Sequence, residues 1–396
     1  VIEVEVYVVD YLRTAFSRSR PNQPEKDVFN SIRMDEAVAE LIKESLRRTG
    51  VDPKELGDVI LGCALQVKEN WSFGGRHPVL LAGLPPEVPS FALDRQCASS
   101  MNAVASGAME IATGNSEVVL AGGYEHMTHV PMVNNDNIEP NYRLLTRPEY
   151  LKYQMSSGYV MGLTAENLAQ ESGIPRDDMD RFSLRSHRLA HRYTEEGWFR
   201  EEILPIEVEY EGKTLKVDRD QSIRADTSME KLRELQPAFK PGGVITAGNS
   251  APYNAGASLV MLASEQKVNQ YGLKPLAKVK ALGWAGVPPH VMGKGPVPAS
   301  RKALQRAGVR VEDVDFWEIN EAFAVVVLYA ERELGLDEER VNVHGGAIAI
   351  GHPLGATGAR LVGTLARTLH ERKGGIGVAT LCVGGGQGYS VVLEGV

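Results

Sequence analysis

The sequence predicts an α/β protein whose parallel or mixed sheet is covered by helices. Two observations carry that prediction. Segments of strand character alternate with segments of helical period over residues 1–125, and the alternation returns over 246–270 and 275–396. Forty glycines and 21 prolines cluster in short loops between those segments. This order of elements is the one that a sheet with helical crossovers requires.

The elements follow in chain order. Val1–Asp10 alternates apolar with polar residues and carries Glu3 and Glu5, so it reads as a strand and not as a signal peptide. Met34, Val38, Leu41, Ile42 and Leu46 recur at helical spacing, and Gly50 stops that helix. Asp58–Cys63 and Phe91–Arg95 read as strands. A helix runs from about Cys97 to Thr113, and Glu117–Gly123 is a strand entering a glycine turn. Residues 126–245 change character. Thr128–Ser157 is a polar, proline-containing excursion of a kind that is usually functional. A helical block from Thr164 to about Trp198, a hairpin over 203–218 and a short helix at Thr227–Leu235 complete an inserted domain. Afterwards come helices at Ser300–Ala307, Ala322–Leu334 and Ala356–Arg372 and a strand at Phe316–Ile319. Ile376–Val383 and Tyr389–Leu393 pair around Gly384, Gly385 and Gly386. The stretches that begin at Cys97 and at His352 are faintly alike, as are the strands ending in Gly122-Gly123 and Gly384-Gly385. An internal duplication with the active site between its halves would explain both.

Composition narrows the function. The 396 residues are 43% hydrophobic and 24% charged, an ordinary globular balance. The net charge of −8 gives no basic footprint for nucleic acid. No apolar run approaches the roughly 18–20 residues of a membrane span. Three cysteines exclude a disulfide scaffold and suit a reducing compartment, so a cytoplasmic location is expected.

Four residues invite chemistry. Cys97 lies between a strand end and a helix start, where the helix dipole favours a thiolate and free N–H groups favour an oxyanion; a buried core cysteine is the alternative. His352 sits among glycines with Pro353 behind it, placed to deprotonate a thiol or merely to cap a helix. Cys382 precedes three glycines. As an exposed thiol of pKa about 8.5 it would act as acid and base on carbon, and otherwise it is inert in a tight turn. Asn320 is either an N-cap or an amide holding a water or an oxyanion. Other motifs are weak. Gly384–Gly388 is followed by a strand, so it is no dinucleotide fingerprint. His126/His129 and His187/His191 lack metal partners at suitable spacing. Arg181, Arg185, Arg188 and Arg192 share a helix face that suits phosphates, solvent or a subunit contact equally.

Together the segments Cys-Ala-Ser-Ser-Met-Asn-Ala (97–103), Met-Gly-Leu-Thr-Ala-Glu-Asn (161–167), Leu-Gln-Pro-Ala-Phe (235–239), Thr-Ala-Gly-Asn (246–249), Met-Gly-Lys-Gly-Pro-Val-Pro-Ala (292–299), Asn-Glu-Ala-Phe-Ala (320–324), Gly-Gly-Ala-Ile-Ala-Ile-Gly-His-Pro-Leu-Gly (345–355) and Cys-Val-Gly-Gly-Gly-Gln-Gly (382–388) resemble the thiolase family in order and spacing. The resemblance covers nearly the whole chain. It implies duplicated βαβαβαββ halves in a five-layer α/β/α/β/α core, with residues 1–125 and 251–272 as one half and 273–396 as the other. Residues 126–250 would be a loop domain that binds coenzyme A.

The resemblance also implies roles. Cys97 would carry the acyl group, His352 would activate it, and Cys382 would move the proton at the α-carbon. Asn320 and His352 would form one oxyanion hole, through a water held by Asn320. The N–H groups of Cys97 and Gly384 would form the other. Met161, Phe239, Met292 and Phe323 would line the acyl or pantetheine pocket, and Arg224 would lie near the adenine nucleotide. Coenzyme A would be a substrate, with no metal or other cofactor. A homodimer or homotetramer is implied, and degradative members associate with a hydratase–dehydrogenase subunit.

Departures from the family pattern are local. Ala251 replaces a serine that touches coenzyme A, Ala255 an aspartate and His344 an asparagine. The segment Arg13-Thr-Ala-Phe-Ser-Arg is also unusual. Val160, where acetoacetyl-specific members have histidine, and the segment Glu125–Met132 tilt the reading towards the degradative 3-ketoacyl-CoA branch. The alternatives are a biosynthetic acetyl-CoA acetyltransferase and a non-catalytic acyl-CoA-binding scaffold. A β-ketoacyl synthase is disfavoured by the second cysteine.

Overall fold

The computed structural model describes residues 4–396. Its strands are β1 (Val6–Arg13), β2 (Leu56–Gly62), β3 (Phe91–Leu93), β4 (Val118–His126), β5 (Ile206–Tyr210), β6 (Lys213–Val217), β7 (Ala255–Ser264), β8 (Ala277–Gly286), β9 (Phe316–Ile319), β10 (Ile376–Val383) and β11 (Gln387–Gly395). The helices that matter here are α1 (Met34–Thr49), α2 (Ser99–Ala112), α3 (Met161–Ser172), α4 (Arg176–Glu195), α5 (Pro296–Ala307), α6 (Ala324–Leu334) and α7 (Leu354–Glu371). The predicted N-terminal strand is β1; the first three residues of that reading lie outside the described part.

Nine strands hydrogen-bond in the order β3-β2-β4-β7-β1-β8-β11-β10-β9, and β5 pairs with β6 apart from them. The long sheet consists of two wings of one topology. In the first, β2 is parallel to β3 and β4, while β7 is antiparallel to β4 and β1. In the second, β9 is parallel to β10, while β11 is antiparallel to β10 and β8. The place of β3 is taken there by a single parallel bridge from Trp317 to Val341. The expected duplication is therefore real, with one strand of the second half worn down to a bridge. Among the described residues, the sheet hydrogen-bonding between the wings runs through two residue pairs, Tyr7–Lys278 and Val8–Ala277.

Side-chain alternation separates the layers, because successive strand residues point to opposite faces. Val118 and Leu120 pack with Val38, Leu41 and Ile42 of α1 in an outer core. Val119 and Ala121 point the other way, into a central core with Met101 and Val104 of α2 and Leu361, Val362 and Leu365 of α7. Leu381, Val391 and Leu393 of the second wing enter the same central core. Val378 and Val392 face outwards to α5 and α6. Three cores between five layers result. Each fully buried Leu, Ile or Val contributes roughly 1.5–3 kcal/mol.

Several elements differ from expectation. β4 does not turn at its glycines but runs on to His126. Gly122 and Gly123 serve close approach instead: a Cβ on either would lie 2.1 Å from the carbonyl of Ser258 or Gly355. The helical block 164–198 is two helices, because Gly173 takes a left-handed φ of 71° and caps α3. α5 begins at Pro296, earlier than predicted, since proline is well tolerated in a first turn.

Arg13, which the unusual segment shares with the family pattern, has a structural role. It is fully buried and binds Asp220 through two hydrogen bonds (2.7 and 2.9 Å) and Glu202 through its Nε (2.6 Å). Glu202 also accepts from Arg367 (2.8 Å) and from the Tyr11 hydroxyl (3.0 Å). This seam fastens the inserted segment to β1 and α7.

Candidate active site

The N-termini of the two central helices cross. A Cβ on Gly358 would lie 2.2 Å from the Met101 nitrogen, so the helices touch backbone to backbone there. The Ala359 N–H donates to Ser100 Oγ (2.8 Å). The crossing places the residues just before each helix, Cys97 and His352, at its two entrances. β10 and the turn after it add Cys382 and Gly384, and the end of β9 adds Asn320.

Cys97 follows Gln96, which holds a left-handed φ of 46°. Asp94 Oδ1 stabilises that turn by accepting from the Gln96 N–H (2.6 Å), and Ser99 Oγ donates to the Gln96 carbonyl (2.6 Å). The backbone N–H groups of Gly384 and of Cys97 itself favour the charged form of the thiol. They do not make it a thiolate. Burial pushes its pKa up to about 12, and the charges of Glu125 and Asp94 add to that. The expected activation by the helix dipole is thus outweighed by desolvation.

His352 is held at three points. Its N–H donates to Asn254 Oδ1 (2.7 Å). Asn320 Nδ2 lies 3.4 Å from Nε2, and Thr357 Oγ1 lies 2.6 Å from Nδ1. With Asn320 donating, Nε2 is the acceptor, so Nδ1–H donates to Thr357, whose hydroxyl donates onward to the Pro353 carbonyl (3.4 Å). Burial, reinforced by the charge of Arg360, lowers the imidazole pKa to about 3. The resting pair is an uncharged thiol and an uncharged base. Alkylation of Cys97 by iodoacetamide is therefore expected to accelerate continuously from pH 6 to pH 9. A plateau reached below pH 7 would reveal a thiolate–imidazolium pair instead.

Asn320 is no N-cap. α6 starts four residues later, and Phe323 occupies its cap position. The Asn320 N–H instead donates to the Thr380 carbonyl (3.0 Å), and its buried Oδ1 has no hydrogen-bond partner among the described residues. That oxygen fits a water hydrogen. Cys382 is fully buried, not exposed as expected. Burial pushes its thiol far above the ordinary range, and the neighbouring Cys97 adds to the shift. Gly384 lies against Met161, whose sulfur would be 3.4 Å from a Cβ there. Met161, Met292, Phe323 and Cys382 share one apolar cluster. Phe239 packs edge-on to Phe323 at 6.1 Å and fills the space above Gly162. Ala251 is tied to the same place, its N–H donating to the Ala322 carbonyl (2.9 Å). Arg224 is exposed on a separate loop, anchored by its N–H to His187 Nδ1 (3.0 Å).

Other sequence candidates prove structural. His126 and His129 stack at 3.5 Å and hold the Phe29 and Asn30 carbonyls. Arg181 binds Glu338, and Arg185 binds the Glu338 and Val341 carbonyls. Among the described residues, no cluster of three or more His, Cys, Asp or Glu could hold a metal ion. His344 stacks on Trp198 at 3.6 Å instead of making the loop hydrogen bond of the usual asparagine.

Three supporting residues were not singled out by the sequence. Thr357 sits one turn after Pro353, a spacing that offers its hydroxyl to the first turn of α7. Asn254 gave no local signal. Glu125 accepts from the N–H groups of Ala64 (2.8 Å) and Gly355 (2.9 Å), joining the two wings beneath Cys97; burial raises its pKa to about 7. Replacing Thr357 with valine removes a hydrogen bond to a group that becomes charged, worth about 1.5–3 kcal/mol. The expected loss in kcat/KM is about 10–100-fold, with recovery in Thr357→Ser.

The chain matches the thiolase N-terminal domain over residues 6–266 and the thiolase C-terminal domain over 273–395. It belongs to the thiolase family. It is 44% identical to a 3-ketoacyl-CoA thiolase of Marinobacter nauticus, with 98% of each chain covered. The fold of this thiolase is similar to the human mitochondrial 3-ketoacyl-CoA thiolase, with a TM-score of 0.88, 33% identity and all of both chains covered. It is also similar to the Bacillus anthracis acetyl-CoA acetyltransferase, with a TM-score of 0.86 and 36% identity over 100% of this chain and 99% of that one. The thiolase is accordingly an acyl-CoA acyltransferase, and no described helix is long and apolar enough to cross a membrane.

Proposed function

We propose that this thiolase cleaves 3-ketoacyl-CoA with coenzyme A to acyl-CoA and acetyl-CoA. The observation that carries the reading is the pair of contacts at the two helix entrances: Cys97 beside Cys382 and the Gly384 N–H, and His352 beside Asn320. Cys97 Sγ attacks the 3-keto carbon as its proton passes to His352 Nε2. The N–H groups of Cys97 and Gly384 receive the oxyanion. The C2–C3 bond breaks, and its electron pair forms an enolate on the thioester. The enolate oxygen is stabilised by His352 and by a water on Asn320, and the Cys382 thiol protonates C2. Acetyl-CoA leaves. The thiol of coenzyme A then gives its proton to the Cys382 thiolate and attacks the acyl-enzyme, and Cys97 recovers its proton from His352. No metal or redox cofactor enters; coenzyme A is a substrate.

Met161, Phe239, Met292 and Phe323 form the apolar wall, and Val160 leaves its rim open to chains beyond four carbons. Thiolysis measured from acetoacetyl-CoA upwards tests this: activity that persists or rises with length is expected, and activity confined to acetoacetyl-CoA would make the enzyme an acetyl-CoA acetyltransferase, as the similarity to the Bacillus anthracis enzyme would then explain. We assign residues 126–250 to coenzyme A binding, between a half made of 1–125 with 251–272 and a half at 273–396. Trp71, Phe73, Leu80, Leu81 and Phe91 are exposed beside the edge strand β3, and we read this patch as the homodimer face, on which a tetramer can build. Free thiols at all three cysteines suit the cytoplasm. A hydratase–dehydrogenase subunit is the partner that a degradative role calls for.

A further inference from the structure

Three arginines outside the catalytic centre have no counter-ion among the described residues. Arg18 and Arg20 lie on the segment after β1, both half-buried, and Arg224 lies on the inserted segment. Three loops are laced together there. The Gln221 N–H donates to the Phe16 carbonyl (2.9 Å), and the Ser19 N–H donates to the Tyr253 carbonyl (2.8 Å). Asn254 Nδ2 donates to the Ser17 carbonyl (2.7 Å) and to Ser222 Oγ (3.1 Å), while its Oδ1 accepts the His352 N–H. One side chain thus ties the arginine-bearing loops to the catalytic histidine.

The three charges bear on one another: Arg18 is disfavoured as a cation first by its own burial, then by Arg224 and Arg20. Neighbouring carboxylates are already engaged. Asp220 is bound by Arg13, Asp226 by Lys231 (3.3 Å), and Asp27 by the Thr128 hydroxyl (2.6 Å) and the Phe29 N–H (2.8 Å). Like charges held together and partly desolvated, in a chain of net charge −8, are unfavourable unless an anion joins them. Guanidinium groups suit phosphate in particular.

We propose that Arg18 and Arg20 join Arg224 in a cradle for the phosphates of the coenzyme A nucleotide, laced through Asn254 to the catalytic His352. The inference rests on the acyl-transfer reading above and adds to it two residues of the first half. The test is the Arg18→Ala/Arg20→Ala enzyme, with Arg18→Gln as the milder variant if the double one is unstable. Thiolysis is followed with coenzyme A, 3′-dephospho-coenzyme A and pantetheine as acceptors at saturating 3-ketoacyl substrate. The ratio of kcat/KM for coenzyme A to that for pantetheine is expected to fall by about tenfold or more, and its salt dependence to weaken. An unaltered ratio overturns the proposal. So does an unaltered ratio combined with lost binding of adenosine 3′,5′-bisphosphate, which would mark a separate nucleotide site. If the unaltered enzyme turned over no acceptor, the acyl-transfer reading would fail. The cradle would then stand or fall on whether the variant loses affinity for that bisphosphate.

Discussion

Replacing Cys97 with alanine is expected to lower thiolysis by on the order of 10⁴-fold or more, the scale on which removal of a nucleophile acts. The informative comparison is Cys382→Ala. That enzyme keeps Cys97, His352 and the N–H groups of the first oxyanion hole, and in simple exchange His352 can carry the proton between the Cys97 and coenzyme A thiols in place of Cys382. It should therefore still exchange the acyl group of an acyl-CoA with labelled coenzyme A, at a reduced rate. It should fail to make or break the C–C bond, because nothing is left to move the proton at C2. Cys97→Ala should lose both reactions. Loss of exchange in Cys382→Ala as well would overturn this expectation and make the second thiol necessary for acyl transfer as well as for the C–C bond.

Arg13→Ala is expected to have the largest effect on stability. It leaves Asp220 without its guanidinium partner and Glu202 with Arg367 alone, in a fully buried seam. Breaking one side of a buried ion network costs about 3–5 kcal/mol. The sign with pH follows from Glu202, whose carboxyl is held below the usual range by Arg13 and Arg367 against the effect of burial. In the native protein its stabilisation is present above the unfolded pKa and is lost as pH falls through the folded one. In the variant burial has less opposition and Glu202 protonates more readily. The gap in urea midpoint between native and variant protein should therefore narrow from pH 8 to pH 5. A gap that widens would refute the assignment.

How much of this was legible in the sequence depended on local chemistry. α1 was readable because five apolar residues at helical spacing end at a glycine. β7 and β8 were not individually placed. All of β7, Ala255–Ser264, is buried, so no alternation marks it. The four reactive residues were found, but their protonation states were not. Helix position suggested a thiolate at Cys97 and turn position suggested exposure at Cys382, whereas burial decides both. Asn320 looked like a cap because its neighbours form a helix; the helix in fact begins only at Ala324. Thr357 and Asn254 act through contacts that the chain makes only after folding.

The junction between the wings has a wider consequence. The halves share one topology, yet they are not interchangeable parts. Besides the shared central core and the Glu125 bridge, they meet through two residue pairs of β1 and β8 and through the crossing at Gly358 and Met101, where no side chain fits. Cys97 comes from one half, and Asn320, His352 and Cys382 come from the other. A chimera carrying a half from a distant relative could fold each wing well and still be inert, because an error of an ångström at that crossing would separate the thiol from its base.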